Sequence, residues 1–196
     1  PRSTLFPYTT LFRSGAAGFN AVWIRVKGFE IVSNPKYPTL GRNSARLLRN
    51  LNLVAERGAP HGVKPVVYCQ EPLGLNQDDP FWAEHPAMAG ADWGYNYGSA
   101  EHPEYMRAFC MSSEPVREYL ADTMSTLLRE VPGIAAVITI TFSEFQAHCF
   151  SHHGRGKGPI PCPRCLERGR TATDTVADVL NTMRQGMDRV APATPL

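Results

Sequence analysis

Residues 132–144 read Pro-Gly-Ile-Ala-Ala-Val-Ile-Thr-Ile-Thr-Phe-Ser-Glu, and the fold turns on this stretch. Ile134–Phe142 is a near-continuous run of β-forming and apolar residues, the pattern of a strand covered on both faces of a parallel sheet. Just before it, Val116, Tyr119, Leu120, Thr123, Met124, Leu127, Leu128 and Val131 recur at helical spacing. Ser113 is placed to cap that helix, and Pro115 falls in its first turn, where a missing N–H costs least. Pro132-Gly133 stops the helix and leads straight into the strand. A carboxylate, Glu144, follows at the strand's far end.

The same rhythm extends in both directions. Asn20–Lys27 (Asn-Ala-Val-Trp-Ile-Arg-Val-Lys) and Val63–Gln70 (Val-Lys-Pro-Val-Val-Tyr-Cys-Gln) read as two earlier strands, with Pro65 tolerated near the start of the second. Ser44–Arg57 places Leu47, Leu48, Leu51 and Val54 on one side of a helix, and Gly58 stops it. Thr173–Val190 repeats the helical pattern after the third strand. The order β-α-β-α-β-α, with short helix-to-strand links and long strand-to-helix loops, predicts an α/β fold. The expectation is a partial (β/α)8 TIM barrel of roughly three β/α units, carrying a long aromatic loop and a Cys/His loop. An open doubly wound sheet competes, but no G-x-G-x-x-G or P-loop motif follows any strand. Three units cannot close an eight-stranded barrel. The expectation is therefore an internal piece of a larger enzyme, inactive by itself.

The 196 residues carry 20 basic and 18 acidic side chains, 43% being hydrophobic. That suits one domain with a core and lacks the basic excess of a nucleic-acid binder. No apolar run approaches the ~18–20 residues that span a bilayer. Residues 1–14 stand apart. Thr4–Ser14 (Thr-Leu-Phe-Pro-Tyr-Thr-Thr-Leu-Phe-Arg-Ser) matches the translation of a common sequencing-adapter oligonucleotide and shows neither a helical nor a strand period. It is read as a non-native scar, leaving residues 15–196 as the barrel domain. Arg2 and Arg13 are its only charges, so the remainder is neutral on balance.

Two carboxylates sit just past strands, Glu71 and Glu144. In a β/α barrel both would reach the carboxyl-end rim where catalysis resides. A carboxyl pair is the minimal apparatus of glycoside hydrolysis, one group protonating the leaving oxygen and the other assisting attack. The plainer reading is a Glu that caps its loop or pairs with an Arg. The segment Leu73–Met111 is long and aromatic, with Phe81, Trp82, Trp93, Tyr95, Tyr97, Tyr105 and Phe109. Long loops are often binding lids, and flat rings suit the C–H faces of sugars. Trp93 and Tyr95, set among glycine and polar residues, are the better candidates; packing the loop down is the alternative. Trp23 and Arg25, on the first strand, could face the same rim.

Cys149, His152, Cys162 and Cys165 offer four soft or borderline ligands, as tetrahedral zinc requires. Cys162-Pro-Arg-Cys165 is similar to a zinc knuckle. His148 and His153 are alternatives to His152. A disulfide, a redox C-x-x-C and free thiols remain open, although no thioredoxin-like context surrounds the pair. A structural zinc is expected, and no cofactor for catalysis. Cys69 and Cys110 read as buried strand and loop cysteines.

Gly18-Phe-Asn-Ala-Val-Trp23, Gln70-Glu71-Pro72 and Ile138-Thr-Ile-Thr-Phe-Ser-Glu144, followed by the His/Cys loop, together resemble a family of bacterial glycoside-hydrolase-like proteins. That family is related to the family-20 β-N-acetylhexosaminidase barrels. The resemblance spans most of residues 18–190. It implies a glycan substrate containing hexosamine or a related sugar. It also implies a general acid at Glu144, with a substrate acetamido group attacking the anomeric carbon. In hexosaminidases an Asp precedes that Glu; here Ser143 stands in its place and lacks the charge that stabilises the intermediate. A non-catalytic carbohydrate-binding or scaffold barrel, and a zinc-dependent enzyme, are the rival readings.

Overall fold

A computed structural model of the chain describes residues 6–92, 98–99, 101–102, 104–141, 146–151 and 162–196. In chain order the elements are α1 (Phe6–Ala16), β1 (Ala21–Arg25), α2 (Gly28–Ile31), α3 (Ser44–Gly58), β2 (Lys64–Cys69), β3 (Leu75–Asn76), α4 (Phe81–Glu84), β4 (Ala89–Asp92), β5 (Met106–Phe109), α5 (Glu114–Glu130), β6 (Ala136–Thr139), α6 (Pro163–Glu167) and α7 (Ala172–Asp188). Short 3-10 turns lie at Ala59–His61 and Pro86–Met88. Two compact units divide the chain. One comprises Pro1–Cys69, Thr123–Thr139 and Met187–Leu196; the other comprises Gln70–Asp122 and Ile140–Gly186.

In the first unit β1, β2 and β6 form a parallel sheet with β2 central, as the sequence predicts. Trp23 registers with Val66 and Val66 with Ala136; Arg25 registers with Tyr68 and Tyr68 with Ile138. Pro65 is tolerated inside this central strand because the β6 ladder begins only at Val66. Its carbonyl accepts the Ala135 N–H at 2.9 Å, and its missing N–H falls just before the ladder. α3 runs into β2 through a tight turn. Val63 N–H donates to Gly58 O at 3.0 Å, and Gly62 takes the left-handed conformation (φ +68). The Asn52 amide reaches the exposed last carbonyls of α5, donating to Glu130 O at 2.8 Å.

The faces of this sheet differ from the sequence expectation. Val67 and Val137 are buried on one face, but on the other Trp23 is 58% and Ile138 45% exposed. Only one face is closed among the described residues, so the apolar run of β6 reports a pattern suited to burial rather than burial itself. A second difference lies at the N-terminus, where residues 6–16 form a helix despite the lack of clear periodicity. Leu11 is buried, and Phe12 meets the His61 ring edge-on at 5.5 Å. Tertiary contact supplies what the local pattern lacks.

In the second unit the described part of the long loop carries strands and a short helix. β3, β5 and β4 form an antiparallel sheet with β5 central and an irregularity between Ala89 and Asp92. Phe81, Trp82 and Phe109 are buried. Their rings lie 5.0–5.7 Å from the Phe109 ring, which stacks on Tyr119 at 5.6 Å. Trp82 donates its indole N–H to Asn76 O at 2.8 Å, so the one polar atom of that ring is satisfied. For these rings the packing reading holds. α7 starts one residue earlier than the sequence suggests. Thr171 and Asp174 cap each other's backbone, with Thr171 N–H donating to Asp174 Oδ2 at 3.0 Å and Asp174 N–H to Thr171 Oγ1 at 3.1 Å.

Candidate functional site

Parallel pairing sends the chain out of β1, β2 and β6 at the same end of their sheet. Arg25 is the last residue of β1 and is exposed; Trp23 shares its face, with its ring 4.7 Å from Tyr68. Two residues past β2 comes Glu71, 2% exposed, joined to Pro72 by a cis peptide bond. The Leu73 N–H donates to Glu71 Oε2 at 3.4 Å. The carboxyl group therefore accepts from its own strand-end loop. Ser143 and Glu144 lie outside the described residues, as do Trp93, Tyr95 and His152.

At the end of β4, Asp92 pairs with Arg107 through both carboxylate oxygens, the Nη2–Oδ2 distance being 3.0 Å. Hydrogen bonding to Asp92 raises the Arg107 pKa against the opposing effect of burial. The guanidinium also lies over the Trp82 ring at 5.9 Å. This pair anchors the hairpin that leads into residue 93.

The second unit also brings four sulfurs together. Cys110, Cys149, Cys162 and Cys165 are all buried, and their Sγ atoms lie within 4.8 Å of one another. Cys110 Sγ is 3.5 Å from Cys162 Sγ and 3.6 Å from Cys165 Sγ. The sequence picks out Cys149, Cys162 and Cys165; it treats Cys110 as an isolated loop cysteine, and the structure corrects that. Cys110 follows β5 directly, and the β4–β5 hairpin carries it to the others. No motif spacing signals this placement. The count alone hints at it, because three clustered cysteines call for a fourth ligand.

Hydrogen bonds from the Cys149, Cys162 and Cys165 thiols, with a further one from Arg164, hold the Cys110 thiol far below its ordinary pKa. Cys149 moves up, chiefly through its bond to Cys110. Cys165 also moves up, chiefly through its bond to Cys110, so the shifts do not place charge on every sulfur. His148 does not contribute a ligand atom: Phe150 N–H donates to its Nδ1 at 3.2 Å, so Nε2 carries the proton and donates to Thr141 O. Burial lowers the His148 pKa to about 4 and keeps the ring neutral.

No protein-family model matches the chain, and no curated protein matches it. Solved structures do. A GH36 α-galactosidase from Geobacillus stearothermophilus in complex with 1-deoxygalactonojirimycin superposes with a TM-score of 0.57 at 16% identity, over 95% of this chain and 24% of its own. A GH5_18 protein from Streptomyces cattleya in complex with GlcNAc gives 0.52 at 19%, over 97% and 39%. α-L-Fucosidase isoenzyme 2 from Paenibacillus thiaminolyticus gives 0.51 at 17%, over 97% and 28%. The fold is glycoside-hydrolase-like. The chain spans about a quarter to two-fifths of the length of these neighbours. They agree with the glycoside-hydrolase-like fold that the sequence resemblance implies and do not carry its family-20 part.

Proposed function

We propose that this chain is part of the β/α barrel of a glycoside hydrolase acting on hexosamine-containing or related glycans. The observation that carries the reading is the parallel β1-β2-β6 sheet in β/α order, whose fold is matched over nearly the whole chain by glycosidase structures. The open face bearing Trp23 and Ile138 supports it, because all-parallel sheets occur almost only with both faces covered, and further barrel strands would cover this one. The hexosamine substrate class rests on the sequence resemblance, on Gln70-Glu71-Pro72 and Ile138–Glu144.

In this reading Glu144 is the general acid that protonates the leaving glycosidic oxygen, and Glu71 is the second carboxylate, binding a sugar hydroxyl or assisting attack. Trp93 and Tyr95 are sugar platforms, Ser143 hydrogen-bonds the sugar's amide, and Trp23 and Arg25 line the end of β1. A general acid working near neutral pH needs an apolar setting that raises its pKa; Phe142 and Phe145 flank Glu144 in sequence. The test is turnover of a panel of glycosides with poor, unactivated leaving groups by the full-length protein. Wild type should release the aglycone, and Glu144→Gln should lose roughly 10²–10⁴-fold in kcat. Near wild-type turnover by Glu144→Gln would sink the assignment. Glycan binding with no hydrolysis by wild type would favour the scaffold barrel that Ser143, in place of an Asp, already suggests.

A further inference from the structure

We propose that Cys110, Cys149, Cys162 and Cys165 bind one zinc ion as a closed tetrathiolate, and that the ion is structural.

The sulfur geometry fits the ion. Four ligands at a Zn–S distance of ~2.3 Å form a tetrahedron whose edges are ~3.8 Å. The observed sulfurs all lie within 4.8 Å of one another, two of the separations being 3.5 and 3.6 Å. A disulfide needs sulfurs at ~2.05 Å and joins only two of them. Here Cys110 is close to both Cys162 and Cys165, so the four converge on one point. Thiols are weak hydrogen-bond donors and acceptors and give little reason to gather in a buried pocket on their own.

The surroundings are those of a built site. Ala91 N–H donates to Cys149 Sγ at 3.3 Å, and the Ser112 hydroxyl lies 3.4 Å from Cys165 Sγ. Gly90 leaves the room that Cys149 needs: a Cβ there would stand 2.7 Å from its sulfur. Cys162 opens α6, and its carbonyl accepts from both Cys165 N–H at 2.9 Å and Leu166 N–H at 3.1 Å. Gly169 then turns the chain (φ +57) so that Arg170 N–H donates to Cys165 O at 3.0 Å. This is the compact C-x2-C turn that presents two sulfurs to one metal. Arg164 hydrogen-bonds the Cys110 side chain, and Arg168 reaches back to Ser112 O at 2.9 Å. The Arg164 cation thus lies close to a centre whose net charge, with zinc bound, would be −2.

Binding needs no oxidant. Zn²⁺ forms four Zn–S bonds, and each sulfur still protonated gives its proton to solvent. Four thiolates complete the tetrahedron, so no position is left for water or substrate, and the ion cannot act as a Lewis acid. Its role is to tie together the end of β4, the chain after β5, residues 149–151 and α6. These are short elements, none longer than five residues.

The test measures metal in the full-length protein after chelation and reloading with zinc, followed by cobalt(II) substitution of the same preparation. We expect one zinc per chain, and a cobalt spectrum with the intense visible and thiolate charge-transfer bands of four sulfur ligands. His152→Ala should keep both. Cys110→Ser should drop zinc well below one per chain, or shift the cobalt bands as one sulfur is lost. The wild-type cobalt spectrum counts sulfurs even if that variant fails to fold. No zinc uptake by wild type, a spectrum of fewer than four sulfurs, or loss of the metal in His152→Ala with retention in Cys110→Ser would overturn the proposal. Intact mass showing disulfides in the freshly purified protein would do so as well.

Discussion

Single side chains in this molecule do two kinds of work, and His148 shows the first. It is buried, neutral and used at both ring nitrogens, holding Phe150 N–H and Thr141 O beside the segment that carries Glu144. Replacing it by Leu would take the partner from the buried Phe150 N–H, at ~1–3 kcal/mol, and from the part-buried Thr141 carbonyl, at somewhat less. His148→Leu should therefore lower the denaturant midpoint by an amount equivalent to roughly 2–5 kcal/mol. An unchanged midpoint would show that these bonds are made equally well by water. Cys110 shows the second kind of work, convergence from a distance. Cys149, Cys162 and Cys165 were legible in the sequence because they lie close together along the chain. Cys110 was not, since only the antiparallel pairing of β4 with β5 brings it in. Glu71 was legible as a strand-end carboxylate, but its bond to Leu73 N–H depends on a loop conformation that no sequence pattern announces.

At the scale of elements, α7 owes its start to the reciprocal Thr171–Asp174 cap. Thr171→Ala should lower stability by about 1 kcal/mol, read as a shift of the thermal midpoint; no shift would mean water caps that end as well. Asp174 lies below its ordinary carboxylate pKa because Thr171 donates to it. Its stabilising effect is thus present above the unfolded pKa and fades as pH falls through the folded one. Farther along α7, Gly186 lies against the Ala121 carbonyl of α5, where a Cβ would collide with backbone. Gly186→Val should destabilise by ~1–3 kcal/mol through forced separation of the two helices, and the urea midpoint of that variant is the measurement. β1, β2, β6, α3, α5 and α7 were readable within a few residues of their ends, because the apolar runs and periods in the sequence extend over eight to eighteen residues and Pro/Gly stops bound them, even where the strand itself is only four or five residues long. β3, β4 and β5 are two to four residues long. No period can register in so few positions, and their pairing is decided by cross-strand contacts.

For the molecule as a whole, the β/α order fixed the kind of fold, and the glycosidase neighbours agree with it. What the order alone did not give is the asymmetry of the parallel sheet. Val67 and Val137 are closed in, while Trp23 and Ile138 face outward on the side a barrel would fill. The function proposed here rests on that architecture and on a carboxylate after β6. Its most direct test compares two substrates with the same sugar in the full-length protein, one with a poor leaving group and one with an activated aryl leaving group. A general acid matters most where the departing oxygen most needs a proton. Glu144→Gln should lose far more kcat on the poor leaving group than on the activated one. Equal losses on both, or no loss on either, would contradict the general-acid role of Glu144.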